Sequence, residues 1–371
     1  MSAIKPVTIS YTSLVSKDAA LSAQISEAFD SSANALGLLI VKDLPASFPA
    51  LRKRLLLLSN DFASLPEEVR EKYTSPESSY SFGWSHGKEV MNGKPDTLKG
   101  SFYNNPSQDE TPGLKAGDAP TKNIWPEEKG VEGFEEAFKE LCALMVEVGG
   151  LVARACDQLV GNESATSKSV EELVRQSRAS KARLLHYFAR PDTVFDLPAS
   201  SSVSDSQSEK IDDSWCGTHI DHSLLTVLCP SMYLFHPSDK ALAPIVIPSP
   251  SKSTGLFIKT RSGEVVQATI PENCLALQTG ETLELLTAKR LAATPHFVNA
   301  TATTLGKRAL DAIEGKKAED ESWRAVATGT VTRETLACFL QPNNDEVVSK
   351  DGETFGQFTE RVFRRHYDDA K

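Results

Sequence analysis

The stretch that most constrains this chain is Trp215-Cys216-Gly217-Thr218-His219-Ile220-Asp221-His222-Ser223-Leu224-Leu225-Thr226-Val227-Leu228. It sets a His and an Asp two residues apart at the mouth of an apolar, β-branched run. In an extended chain residues i and i+2 point to one face, so His219 and Asp221 share a side and Ile220 takes the other. On a helix the same spacing turns the two side chains apart. The pair therefore reads as a metal site only if this segment is a strand. Asp221 precedes an apolar run, where a carboxylate is costly to bury without a cation. A second His from elsewhere would complete a 2-His-1-carboxylate set, which suits Fe(II) with open coordination positions, although the same donors also permit zinc.

The chain has seven histidines, and His296, in Thr294-Pro295-His296-Phe297-Val298, is the best candidate for the second His ligand because it lies on an apolar strand beyond a turn at Gly280. His222 is not assigned as a ligand; it is either a neighbour of the site or a surface residue. Further on, Val331-Thr332-Arg333-Glu334-Thr335-Leu336-Ala337-Cys338-Phe339-Leu340 places Arg333 and Thr335 on one face of a strand. An inward guanidinium needs an anionic partner, and a bidentate Arg with a hydroxyl two residues on fits the carboxylate of a small acid. The plain alternative is a surface Arg paired with Glu334.

Bulk properties narrow the function classes. At 371 residues, 40% hydrophobic and 24% charged, the chain has the composition of a soluble globular protein. A net charge of −10 without a basic patch argues against nucleic acid and anionic membrane surfaces as partners. Met1-Ser2-Ala3-Ile4-Lys5-Pro6 lacks the apolar core of a signal peptide, and no run is long enough to span a membrane. Six scattered cysteines without a CxxC pair read as free thiols in a reducing compartment. The expectation is a cytoplasmic monomer, with little weight on the sequons at Asn162 and Asn299.

Along the chain, residues 5–10 can form a first strand, and Leu21, Ile25, Phe29 and Leu36 set a helix within 17–36 that stops at Gly37. Leu38-Leu39-Ile40-Val41 is a compact strand, followed by helices near 47–63 and 66–73. Residues 74–128 read as ordered loop and short strand, because isolated aromatics (Tyr80, Phe82, Trp84, Phe102, Tyr103) are rare in linkers. The longest helical pattern is 132–160, a core support helix, and a shorter one lies near 169–178. From 183 the texture turns to short strands: 184–188, 224–229, 255–259, 264–270, 274–278, 295–299, 326–332 and 335–340. That succession argues for a barrel or jelly roll. Residues 352–369 form a closing helix, and the Ser- and Asp-rich 199–213 a mobile loop.

Taken together these pieces resemble the 2-oxoglutarate- and Fe(II)-dependent dioxygenases of the isopenicillin N synthase-like superfamily. Gly37 to Val41 resembles the family's early glycine-led strand, and Lys94 to Pro106 its "D-x-K-E-x-F-Y" segment. Arg183-Leu184-Leu185-His186-Tyr187-Phe188 is similar to "R-x-N-Y-Y-P", Thr218 to Thr226 to "H-T-D-x-x-x-L-T", and Leu277 to Thr287 to "N-I-G-D-x-L-x-x-L-T". His296 and Arg333-Glu334-Thr335 stand where the distal His and the "R-x-S" pair belong. The matches run in order along most of the chain, and the order carries the resemblance more than any single motif.

The resemblance implies a mainly β protein with flanking helices around a double-stranded β-helix (jelly-roll) core. Residues 1–125 would be an N-terminal α/β region packed on that core, and 126–371 the support helices, jelly roll and C-terminal helix of the same functional unit. It implies Fe(II) on His219, Asp221 and His296, and 2-oxoglutarate on Arg333 and Thr335, with Tyr187 as a further hydrogen-bonding residue. It implies oxidation of a small organic molecule by O2, by hydroxylation, desaturation or cyclisation, with release of succinate and CO2 and with ascorbate as a candidate reductant. The rivals are a same-fold iron oxidase that does not use 2-oxoglutarate and a non-catalytic small-molecule-binding protein. The chain departs from the pattern at Thr335 for Ser, Leu185 for Asn and Phe297 for Arg. Segments 199–215, 230–253 and 300–330 are longer than the family core and read as surface insertions or as lids.

Overall fold

The computed structural model describes residues 5–91, 94–113, 118–160, 166–190, 193–197, 216–251, 253–299 and 304–368. The expected mobile loop at 199–213 lies outside the described residues. Two β-sheets face each other and a layer of helices backs the larger one. The large sheet has eleven strands, and its path runs Val7–Ser10, Leu38–Lys42, Leu275–Thr279, Leu225–Leu228, Thr328–Leu340, Lys181–Tyr187, Lys99–Asn104, Gly83–His86. The smaller sheet runs Cys216–His219, His296–Asn299, Gly255–Lys259, Val265–Ala268. Each strand alternates its side chains between a helix-facing core and the space between the sheets. The chain is thus mainly β with flanking helices, as expected.

Helix Phe134–Val160 is the main support. Its buried stripe, which includes Phe138, Leu141, Met145, Val148 and Val152, packs with Leu55, Leu56 and Phe62 of helix Phe48–Ala63 against Leu184, Val227, Leu277 and Leu336 of the sheet. Phe62 sits at the centre of an aromatic group, edge-on to Trp84 at 5.2 Å and to Phe102 at 5.1 Å between ring centroids. Each such pair adds about 0.5–1.5 kcal/mol beyond the area it buries. Trp84 and Phe102 are therefore core residues of the helix side. Between the sheets the packing is thinner. Leu38, Ile40 and Ala276 meet Ile258 and Ala268, while Leu185, Tyr187 and Ala337 meet Val298, and the rest of the gap stays open.

Several local expectations need correction. Residues 326–332 and 335–340 do not form two strands; Thr328–Leu340 is one strand of 13 residues, because the polar run Thr332 to Thr335 finds buried partners on both faces. The helix within 17–36 spans only Leu21–Phe29, and a separate helix Tyr11–Ser16 precedes it, capped by the Ser10 hydroxyl on Ser13 N at 3.0 Å. Gly37 does mark the turn into the next strand. It takes φ +63, and a Cβ there would stand 2.3 Å from Thr294 Oγ1.

The long segments 230–253 and 300–330 are not plain surface insertions. The first carries strands Met232–Pro237 and Ile245–Ile247, which join the large sheet beside Thr328–Leu340. The second carries helix Lys307–Glu319. Leu310, Ile313 and Trp323 of the second pack on Tyr233, Phe235 and Ile247 of the first, forming a separate small core. The five cysteines whose side chains are described are buried free thiols. No helix among the described residues is long and apolar enough to cross a membrane.

Candidate active site

His219 and His296 meet because strands Cys216–His219 and His296–Asn299 pair antiparallel with the two histidines directly opposite. The ladder shifts register between Cys216 and His219, a bulge that turns the Gly217 carbonyl toward its neighbour's ring. His219 Nδ1 lies 2.7 Å from Gly217 O. A carbonyl can only accept, so Nδ1 carries the proton and Nε2 presents its lone pair to the site.

Asp221 lies beyond the end of its strand, in the bend that follows, rather than on a strand with His219 as the spacing suggested. Its backbone is fixed there by Glu281 N–H, which donates to Asp221 O at 2.7 Å. The bend lies so close to Gly280 that a Cβ at Gly280 would fall 2.0 Å from Ser223 O. This is the local reason for a glycine ahead of helix Glu281–Leu286.

The three ligating atoms converge. His219 Nε2 and His296 Nε2 stand 3.5 Å and 3.7 Å from Asp221 Oδ1, and one donor atom of each residue lies within 4.8 Å of the others. Donors bound about 2.1 Å from an octahedral ion at right angles stand about 3 Å apart, so the set is slightly open but of the right size for one. Burial pushes the Asp221 carboxyl up, but His296, His219 and Thr226 together hold it well below the usual carboxylate range. Burial pushes the His296 imidazole down to about 4, opposed by Asp221 and reinforced by His219. Near neutral pH the site thus holds an ionised Asp221 beside a neutral His296 imidazole, the protonation a divalent metal requires of these two ligands.

The Gln278 amide lies 2.7 Å from His296 Nδ1, and its Oε1 has no partner. A half-turn of the amide lets Oε1 accept from Nδ1–H and leaves His296 Nε2 free for a metal.

Arg333, Thr335 and Tyr187 line the same cavity as the three ligands, a space of about 1300 Å³ between the sheets. Arg333 is 5% exposed, and its Nε and Nη1 have no hydrogen-bond partner. Its register neighbours on the two flanking strands are Tyr187 and Tyr233. The guanidinium carbon stands 4.6 Å from the Tyr187 ring centroid. Burial works against the Arg333 charge, but the two tyrosines more than offset it and raise its pKa. Thr335 sits on the same face and its hydroxyl donates to Cys229 O at 2.8 Å, so its proton points at the backbone rather than into the cavity.

Sequence reasoning missed Tyr233, because its strand was read as insertion; the continuous apolar run Met232-Tyr233-Leu234-Phe235 was the available signal. It also gave Gln278 no role. Phe339 lines the cavity, whereas Tyr103 donates to Glu89 Oε1 at 2.7 Å. His222 faces away toward Glu281, with Nδ1 3.5 Å from Oε2.

With this geometry in hand, similarity to known proteins becomes informative. Residues 7–128 match the family model described as non-haem dioxygenase in morphine synthesis, N-terminal. A 2OG-Fe(II) oxygenase family protein from Caulobacter crescentus shares the architecture at a TM-score of 0.64 and 18% identity, over 97% of this chain and 99% of that one. The chain has the fold of the 2OG-Fe(II) oxygenases. Others with that fold include a Neurospora crassa protein solved with alpha-KG and thymine, at 18% identity, TM-score 0.60 and 97% coverage of both chains. JOX2, solved with 2OG, Fe and JA, is similar at 16% identity and TM-score 0.59, over 98% of this chain and 86% of that one. No curated protein matches the sequence significantly. Within the oxygenase fold, His219, Asp221 and His296 lie in the gap between the two sheets, and Arg333 lies on the large sheet facing the same gap.

Proposed function

We propose that this protein is an Fe(II)- and 2-oxoglutarate-dependent oxygenase that oxidises a small organic molecule, by hydroxylation, desaturation or cyclisation. The observation that carries the reading is the guanidinium of Arg333, buried with two nitrogens unpartnered, in one cavity with a His-Asp-His cluster of metal-binding size. A buried cation with unmet donors calls for an anion. A diacid that reaches from the metal ligands to Arg333 supplies one.

His219, Asp221 and His296 would hold the metal, and the set leaves positions free for cosubstrate and O2. Iron and 2-oxoglutarate bound there supply oxidation of a C–H bond with release of succinate and CO2. The chain does the rest. The Gly217 carbonyl and the Gln278 amide fix the histidine tautomers. Arg333 grips the far carboxylate of the cosubstrate through paired N–H donors, with Tyr187 stacked beneath it. Thr335 joins once its hydroxyl turns from Cys229. Ala337, Phe339, Leu228 and Val298 form an apolar wall that excludes water and positions the carbon to be oxidised. A same-fold oxidase without 2-oxoglutarate would leave Arg333 unexplained.

The test is Arg333→Met. Losing a bidentate, charge-assisted contact of about 1.5–3 kcal/mol should weaken apparent 2-oxoglutarate affinity roughly tenfold to a hundredfold, read as KM in succinate release with ascorbate and iron present. Metal affinity should not change. Unaltered 2-oxoglutarate affinity would sink the cosubstrate assignment.

A further inference from the structure

The charges lining the cavity are lopsided. The chain carries a net charge of −10, yet among the described residues the cavity is lined by five cations, Arg52, Arg183, Lys307, Arg308 and Arg333, and two carboxylates, Asp221 and Glu272. Two of the cations have carboxylate partners. Arg52 Nη1 donates to Glu272 Oε1 at 3.0 Å, and Arg183 Nη2 to Glu89 Oε1 at 2.7 Å. Asp221 belongs to the metal-ligand cluster. Buried Arg333 and, at the rim, Lys307 and Arg308 are left.

Lys307 and Arg308 open helix Lys307–Glu319, and both are exposed. Among the described residues neither forms an ion pair or a side-chain hydrogen bond. The first turn holds no acidic residue, and the cap, Gly306, offers no side chain to the free N–H groups. A helix N-terminus already carries partial positive charge, so two cations there are unfavourable for the helix itself. The fold sets this end on the cavity. Gly306 N–H donates to Pro250 O at 2.7 Å, which pins the start of the helix to the turn that follows strand Ile245–Ile247. Ile247 pairs in register with Tyr233, and Tyr233 with Arg333. All three line the cavity. Two strand spacings of about 4.8 Å put the Ile247 Cα roughly 10 Å from that of Arg333. The exposed cations thus stand at the outer end of a short row that leads to the buried one. A cleft lined by one sign of charge focuses its field and raises the local concentration and on-rate of the opposite ion.

We infer that Lys307 and Arg308 are an entry guide for the cosubstrate. They draw the 2-oxoglutarate dianion to this rim and pass it inward to Arg333, so they set its association rate rather than its final contacts. The inference rests on the oxygenase reading above for the identity of the anion, but its test does not need turnover.

The test uses the full chain loaded with Zn(II). Calorimetry gives the affinity for 2-oxoglutarate, exchange broadening of the 13C-labelled acid gives its dissociation rate, and the two together give the association rate. At about 20 mM salt, Lys307→Glu with Arg308→Glu should slow association about tenfold and change dissociation less than about twofold. At about 1 M salt, where charges are screened beyond about 3 Å, the difference should vanish. Glutamate suits the first turn of a helix, so this variant should fold. Lys122→Glu with Lys129→Glu makes the same change in net charge at exposed residues that do not line the cavity, and should leave association within about twofold of wild type. Imidazole, neutral at about pH 8 and a ligand for the same metal, should associate equally fast with all three proteins. The inference is overturned if charge reversal at Lys307 and Arg308 leaves 2-oxoglutarate association unchanged, if it slows imidazole equally, if the remote pair slows 2-oxoglutarate as much, or if the loss lies wholly in dissociation. Any of these while 2-oxoglutarate affinity still depends on Arg333 overturns the entry guide alone. Loss of that dependence overturns the oxygenase reading and the guide with it.

Discussion

His236 and His296 are both pushed down to about 4, chiefly by burial, but only His296 faces a carboxylate. His236 has His186 and Lys240 as its next influences, and its Nε2 lies 3.0 Å from Thr332 Oγ1. Its folded pKa is below its ordinary 6.5, so the unfolded chain binds the extra proton first. The resulting stability is present in full above pH 6.5 and is lost as pH falls toward 4, a change of roughly 2–3 kcal/mol. Denaturant midpoints of the metal-free protein should decline through that window, and His236→Gln should flatten part of the decline. An unchanged pH profile in the variant would show that His236 is not a source. At this scale the sequence was informative where chemistry and spacing coincide: His219, Asp221, His296 and Arg333 could all be named from it. Asp221 shows the limit. It shares the site with His219 because a bend against Gly280 carries it there, and i, i+2 spacing holds no information about a bend.

The strand Thr328–Leu340 shows why element boundaries were harder to read than element types. Its centre, Thr332-Arg333-Glu334-Thr335, looks like a polar break between two apolar strands. It is continuous because both faces are buried and each polar group has work there. Arg333 and Thr335 face the cavity, while Glu334 faces the helices, where His186 Nδ1 lies 2.7 Å from its Oε1 and Ser59 donates to its Oε2 at 2.8 Å. Partners so distant in sequence leave no local trace. The same holds for segments 230–253 and 300–330, whose apolar residues do not say what covers them and which are joined through their shared core. Trp323 is 2% exposed there, its ring centroid 6.3 Å from that of Phe235. Trp323→Ala should cost about 3–5 kcal/mol in chemical denaturation. The strand Met232–Pro237 carries Tyr233 against Arg333, so loosening this core should also raise the KM for 2-oxoglutarate. If the variant loses stability but its 2-oxoglutarate affinity is untouched, the small core is a scaffold with no hold on the cavity.

Across the molecule, the site joins parts that otherwise touch little. His219 and His296 belong to the four-stranded sheet, Asp221 to the bend leading into the large sheet, and Arg333 to the large sheet itself. Packing between the sheets is confined to small clusters around the open cavity. A metal ion held by all three ligands would act as a clasp between the sheets and stabilise the folded chain by mass action. At a free concentration a hundred times Kd that amounts to about 2.7 kcal/mol, which in a chain of this size raises Tm by several degrees. Anaerobic Fe(II), or Mn(II) as a stand-in, should therefore raise Tm in a concentration-dependent way, and EDTA should reverse it. Asp221→Ala should abolish the rise, read against that variant's own metal-free Tm. On the proposed binding mode, 2-oxoglutarate bridging the metal and Arg333 should add a further increment only when metal is present, and Arg333→Met should remove that increment alone. If 2-oxoglutarate raised Tm equally with and without metal, the two halves of the cavity would be independent sites rather than one.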